Sequence, residues 1–294
     1  MADLVVPQGW SLSADKVLSL PCPKPLYATA REFLAGGSRP VAEPRLATTV
    51  ILVRPGDEHA SEAQAFMLHR SAQMAFAAGA AVFPGGRVDD RDREEIGWAG
   101  PSPQQWGARM GCDGETARAV IVAGVRELFE ESSVLLAGDD SGRVVSGLDG
   151  PDWELEARRL EAGETSLAEI LARRRLVLRS DLLGVRSRWV TPEFEPRRYD
   201  TFFLSALLPD GQAARSQTTE AVSARWITAG SALRAAALGE IVLLPPTVHS
   251  LQQLFECASA EQFVHEDVAI GRLVLTPVES PDGGIELRCQ LPTR

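Results

Sequence analysis

The sequence predicts an α+β chain, and three observations carry that expectation. Residues 48–53 and 201–207 are runs rich in β-branched and aromatic side chains, the composition of strands packed in a core. Residues 115–136 repeat apolar side chains at helical spacing, with Val125, Leu128, Phe129, Ser132 and Leu136 along one broad face. Further helix candidates at 232–237 and 248–257 follow the strand-like Arg225-Trp226-Ile227, and the length suits one elaborated domain or a core with an attached subdomain.

Taken in order, residues 1–44 hold several prolines and one short helical candidate, 28–34, and form an N-terminal extension. Strands follow at 48–53 and 65–68 with a polar connection at 55–62 between them. Residues 80–83 make another short strand before a glycine turn, Phe83-Pro84-Gly85-Gly86. The weakly charged stretch 71–86 is too short for a membrane helix and is broken by Gly79, Pro84, Gly85 and Gly86, which favours a loop and a buried strand. Residues 88–114 read as a structured acidic insertion containing Asp89, Asp90, Asp92, Glu94 and Glu95, with Trp98 and Trp106 as packing anchors or as the lining of a ligand entrance. The helix at 115–136 is expected to stop at the glycines of 138–142, and a helical region at 152–176 covers the core. Pro192 and Pro196 precede the strand at 201–207, and the tail forms a hairpin of 272–276 and 285–289 joined through Asp282-Gly283-Gly284. The organisation expected is an extension at 1–44, a main domain at 45–260 and a C-terminal extension at 261–294 packed on it.

Composition narrows the class. The 294 residues are 45% hydrophobic and 24% charged, which reads as soluble and globular. A formal charge of −10 argues against a nonspecific nucleic-acid surface, and no membrane segment is expected. Cys22, Cys112, Cys257 and Cys289 are dispersed without a C-x-x-C pair. With no basic segment leading into a long apolar run at the N-terminus, a reduced, cytoplasmic chain is the expectation.

The segment Arg126-Glu127-Leu128-Phe129-Glu130-Glu131 carries the chemistry. Its glutamates fall at i, i+3 and i+4 on the helix side opposite the apolar face. Three such carboxylates repel one another unless a cation is shared between them. Mg²⁺ or Mn²⁺ suits oxygen donors and bridges them to phosphate oxygens. Read alone, the same spacing also suits a solvated acidic helix face.

The glycine turn and the glutamate helix together resemble the box of the Nudix hydrolases, in which a glycine and an upstream glutamate lead to Arg-Glu-apolar-x-Glu-Glu-x-Gly-apolar. Here the last part stands as Arg126-Glu127-Leu128-Phe129-Glu130-Glu131-Ser132-Ser133-Val134. The resemblance implies a Nudix fold, a mixed central sheet sandwiched between helices with a helical insertion and terminal extensions. It implies Gly86 at the initial glycine and Glu127, Glu130 and Glu131 as metal ligands, with Glu130 or Glu131 assisting deprotonation of water and Arg126 orienting the glutamates. Two departures stand out. Ser133 replaces the usual glycine, and the usual Gly-x₅-Glu-x₇-Arg spacing is interrupted, with Arg118 at the upstream-glutamate position counted back from Arg126. Glu115 is the nearest substitute for that acid, and Glu220 a further metal ligand from outside the box.

The interruption resembles relatives of the peroxisomal coenzyme A diphosphatases. Their additional pattern is partly kept as Arg70-Ser71, Gly79 and Phe83-Pro84-Gly85-Gly86. Substrate contacts implied are Arg70, Phe83, Gly85, Gly86, Arg197 and Arg198. The activity implied is hydrolysis of a small nucleotide-linked diphosphate, with coenzyme A or an acyl-coenzyme A first and ADP-ribose, NADH or a dinucleoside polyphosphate as alternatives. A noncatalytic nucleotide-binding module is the other class, and a homodimer is the assembly implied.

Overall fold

A computed structural model describes residues 6–37, 40–56, 62–215 except 71–78, and 221–292, with the side chains of 70, 221 and 222 excluded. The chain opens with strands β1 (Ser11–Leu12) and β2 (Val17–Pro21) and helix α1 (Tyr27–Leu34). Then come β3 (Arg45–Arg54), β4 (Gln64–Arg70), β5 (Ala81–Val82) and β6 (Gly85–Arg87), and a single 3-10 turn at Asp90–Arg93. The insertion continues through β7 (Trp98–Ala99) and α2 (Pro103–Met110) into α3 (Gly114–Ser132). After β8 (Ala137–Gly138) lie α4 (Pro151–Glu161), α5 (Leu167–Arg174), β9 (Val177–Arg179), β10 (Leu183–Val190), β11 (Tyr199–Leu207) and β12 (Ala221–Thr228). The chain closes with α6 (Ala229–Ala237), α7 (Pro245–Glu256), α8 (Ala260–His265), β13 (Arg272–Val274), β14 (Thr276–Glu279) and β15 (Ile285–Gln290).

The central sheet is mixed, as expected. Its order is β12-β4-β3-β11-β10-β13, with β5 on β4 and β6 on β3. β3 runs parallel to β11, while β4 and β6 are antiparallel to β3. Alternation along β3 explains its position in the middle. Val50 and Leu52 enter one apolar core with Val125, Leu128 and Phe129 of α3, and Ile51 and Val53 enter the other with Leu233 of α6 and Leu251 of α7. All four of these β3 side chains are fully buried, so the strand is covered on both faces and reads as a continuous apolar run.

Three expectations need correction. Helix α3 ends at Ser132, short of 136, because Ser133 turns left-handed at φ 60° and its N–H closes on the Phe129 carbonyl. Leu136 is buried nonetheless, in the extended segment beyond the helix. The helical region at 152–176 is two helices broken at 162–166, where Ser166 begins the second with a capping box to Glu169. The terminal hairpin is β14–β15, whereas β13 leaves it to pair in parallel with β10. β15 also pairs with β2, so strands from the two ends of the chain share one four-stranded sheet, β1-β2-β15-β14. Within the insertion, Trp106 is fully buried and Trp98 half-buried, its indole N–H donating to the Pro101 carbonyl at 2.8 Å. Among the described residues no helix is long and apolar enough to cross a membrane.

Candidate active site

Helix α3 sets the site. Asp113 caps its N-terminus by accepting from the Thr116 N–H at 2.8 Å. Its apolar stripe seats on β3 and β11, which leaves Arg126, Glu127, Glu130 and Glu131 half-buried along the edge facing β6.

Beside that edge Phe83-Pro84-Gly85-Gly86 is not the free turn expected. Gly85 and Gly86 lie in β6, paired with Thr49 and Thr48 of β3. Neither takes the left-handed backbone; both are required by space. A Cβ on Gly85 would meet the Thr48 carbonyl oxygen at 2.4 Å, and a Cβ on Gly86 would lie 2.2 Å from Glu127 Oε1. The Gly85 N–H donates to Glu131 Oε2 at 2.9 Å. Two of the three glutamates thus lie against the two glycines that open β6, where there is no side chain to displace them.

Arg126 organises the others. Its Nε and Nη2 form a fork on Asp92, at 2.8 and 3.0 Å, and Nη2 also donates to the Arg87 carbonyl at 2.9 Å. Nη1 donates to Glu127 Oε1 at 2.8 Å and lies 3.3 Å from Glu130 Oε1. Asp92 is 1% exposed and was not among the residues predicted for the site. The signal for it was available: five residues separate Gly86 from Asp92, so the usual Gly-x₅-acid spacing is met when counted forward from the glycine instead of back from the arginine.

Electrostatics follow from the crowding. Burial pushes the Glu130 carboxyl up to about 7; Arg126 opposes the shift, and the Glu127 charge adds to it. Burial works against the charge on Arg126, but hydrogen bonding to Asp92 and the charges of Glu127, Asp92 and Glu130 outweigh it and hold the guanidinium protonated. Among the described residues no three of His, Cys, Asp or Glu converge as a ready-made metal cage. Arg126 itself is the cation between Glu127 and Glu130, and Glu131 points to the strand. The donor chemistry nevertheless fits a hard divalent ion: two carboxylate oxygens already lie within 3.3 Å of one cationic nitrogen.

Other predicted residues fall elsewhere. Glu115 sits in the first turn of α3, 79% exposed and 3.5 Å from Arg93; twelve residues along a helix put it roughly 18 Å from Glu127. It does not substitute for the upstream acid. Phe83 is 3% exposed and packs into the core under α6 and α7, so it is no surface for a substrate. Arg198 is buried and donates to the carbonyls of Thr191 and Ala42 at 3.0 and 2.8 Å, tying 40–44 to the β10–β11 connection. Arg197 is exposed in that connection. Glu220 and the Arg70 side chain lie outside the described residues. Ser133, in place of glycine, is 2% exposed and accepts the left-handed conformation that glycine takes freely.

No family model matches the chain. It is 30% identical over 188 residues to the Caenorhabditis elegans protein described as "Putative nudix hydrolase 7", a match covering 64% of this chain and 54% of that one. The chain thus spans about half the length of the curated relative it matches. The crystal structure of a NUDIX hydrolase from Alicyclobacillus acidocaldarius overlays with a TM-score of 0.63 at 26% identity, covering 76% of this chain and 97% of that one. A Nudix hydrolase from M. Smegmatis, RenU, overlays at a TM-score of 0.36 and 15% identity over 85% and 93% of the two chains. The fold is that of the Nudix hydrolases. Sequence and structure both support the Nudix hydrolase superfamily for this chain.

Proposed function

We propose that the chain is a diphosphatase that uses a divalent cation, Mg²⁺ or Mn²⁺, to hydrolyse a nucleoside diphosphate linked to a second moiety. One observation carries the reading. The glutamate helix is docked against Gly85 and Gly86 of β6, with Arg126 held between Asp92 and the Glu127–Glu130 pair and the Gly85 N–H on Glu131.

Glu127, Glu130 and Glu131 would hold the ion. When bound, the cation supplies charge neutralisation for the phosphate oxygens and a more acidic water. Arg126 keeps the carboxylates at one edge of the helix, Gly85 and Gly86 let that edge sit flush against β6, and Glu130 or Glu131 accepts a proton from the attacking water. Arg70 and Arg197 are proposed to meet the anionic substrate, and Glu220 to add a carboxylate. Coenzyme A or an acyl-coenzyme A is the substrate favoured by Arg70-Ser71, Gly79 and Phe83-Pro84-Gly85-Gly86. Its cleavage yields adenosine 3′,5′-bisphosphate and the 4′-phosphopantetheine species. ADP-ribose, NADH and dinucleoside polyphosphates are the alternatives. A cytoplasmic homodimer is the setting proposed.

Arg118 and Ser133, where the family pattern has an acid and a glycine, favour a second reading, a module that binds nucleotides without cleaving them. Product analysis with coenzyme A, acyl-coenzyme A, ADP-ribose, NADH and dinucleoside polyphosphates in Mg²⁺ or Mn²⁺ separates the two. Turnover that falls sharply in both Glu130→Gln and Glu131→Gln, with folding retained, supports hydrolysis. Binding by a folded sample with no cleavage of any member supports the module.

A further inference from the structure

Counted back from Arg126, Arg118 stands where an uninterrupted family pattern has its acid, whereas Asp92 meets that spacing counted forward from Gly86. The structure gives that arginine partners of its own. From the second turn of α3 it donates Nη1 to the Arg93 carbonyl at 2.9 Å and Nη2 to the Glu94 carbonyl. These two carbonyls lie at the C-terminal end of the 3-10 turn at Asp90–Arg93, the turn that presents Asp92 to Arg126. Arg118 and Arg126 lie eight residues apart on one helix, so both ends of a single short segment are pinned to the same rigid rod.

The outer side of that segment is held as well. Ser166, the cap of α5, donates its hydroxyl to Glu94 Oε2 at 2.6 Å, and Arg91 Nη1 donates to the Gly163 carbonyl at 2.5 Å. The turn is also closed on itself by a capping box between Asp89 and Asp92. The α4–α5 connection and α3 therefore grip the turn from two sides.

We propose that Arg118 is a positioning residue for the site: by fixing the carbonyls of Arg93 and Glu94 it sets Asp92 on Arg126, and through Arg126 it sets Glu127 and Glu130. The α4–α5 connection is the buttress of the same clamp. The proposal rests on the diphosphatase reading for its kinetic consequence, and on geometry alone for its structural one. Arginine is suited to the task because its planar fork reaches two adjacent carbonyls at once, which a single ammonium does less well.

Two measurements on the full chain test this separately. In the first, steady-state kinetics on whichever diphosphate the wild type cleaves compare Arg118→Ala, Arg118→Lys, Asp92→Asn and the double variant Arg118→Ala/Asp92→Asn. The expected result is a kcat reduced about 10- to 100-fold in Arg118→Ala with KM changed less than about threefold, since mispositioning acts on the chemical step. Arg118→Lys should recover part of that loss. The double variant should be no slower than Asp92→Asn by more than about twofold, because both substitutions break one linkage. In the second, ¹H–¹⁵N spectra follow the Arg126 Nε–H, assigned by its disappearance in Arg126→Lys, and its exchange with water should accelerate about tenfold or more in Arg118→Ala once its Asp92 acceptor shifts. That arm needs no turnover: if the wild type cleaves nothing, the diphosphatase reading fails and the spectrum alone decides the clamp. Unchanged Nε–H exchange in a folded Arg118→Ala, or kinetic losses of Arg118→Ala and Asp92→Asn that multiply, would overturn the proposal.

Discussion

Gly86→Ala is the substitution that separates the chemistry of this site from its stability. An added Cβ would stand 2.2 Å from Glu127 Oε1 and 2.5 Å from its carboxyl carbon, against the 3.4 Å where ordinary contact begins. The obstacle is the far end of a flexible side chain. The carboxylate relieves it by moving about 1 Å, and a displacement of that size at a reacting centre costs on the order of 100-fold in rate, about 2.7 kcal/mol. Stability should change by less than about 1 kcal/mol, because the reduced freedom of the unfolded chain offsets part of the strain. Gly85→Ala is the control. Its Cβ meets the Thr48 carbonyl oxygen at 2.4 Å and Thr49 Cα at 2.7 Å, backbone atoms of the central strand that cannot turn aside. That variant should lose about 3 kcal/mol of stability by overpacking. Urea denaturation midpoints and kcat at saturating metal, measured on both, give the comparison. A Gly86→Ala protein with wild-type kcat, or one destabilised as much as Gly85→Ala, would refute the idea that this glycine exists to make room for the carboxylate.

Three further outcomes are expected. Glu130 has its carboxyl pushed up from 4.5 to about 7, so folding takes up a proton between those values. The resulting penalty is absent below about pH 4.5, grows as pH rises and is complete above about 7. In EDTA, Glu130→Gln should therefore be more stable than wild type by about 3 kcal/mol at pH 8 and nearly equal to it at pH 4, and a stability difference independent of pH would contradict this origin. Asp92→Ala leaves Arg126, 13% exposed, without its two-pronged partner; with Glu127 still at 2.8 Å the loss should be near 3 kcal/mol by denaturation, and a loss below about 1 kcal/mol would show the pair to be dispensable. Ser133→Gly removes the left-handed penalty at φ 60° at the expense of one long contact to the Arg215 carbonyl, 3.5 Å, and should raise stability by about 1 kcal/mol in thermal melts; a lower melting temperature would mean that the hydroxyl matters more than the backbone.

Much of this was legible from local pattern. Period-two burial is visible in Val50, Ile51, Leu52 and Val53 as an unbroken apolar run, and α3 shows its apolar and acidic faces at helical spacing. What misled was equally local. Phe83-Pro84-Gly85-Gly86 has turn composition, yet its glycines serve a strand pressed between β3 and Glu127. Arg198 and Phe83 have residue types suited to a ligand, but one satisfies backbone carbonyls and the other fills the core.

The amino-acid pattern by itself determined the buried strands around 48–53 and 201–207 and that three carboxylates share one helix edge, because side-chain periodicity is a property of neighbours along the chain. Only the tertiary structure decided that Asp92 partners Arg126, 34 residues away, that Arg118 reaches the turn carrying it, and that β2 joins β15. Those partners are chosen by how the insertion and the two chain ends pack. No spacing within one element records that choice.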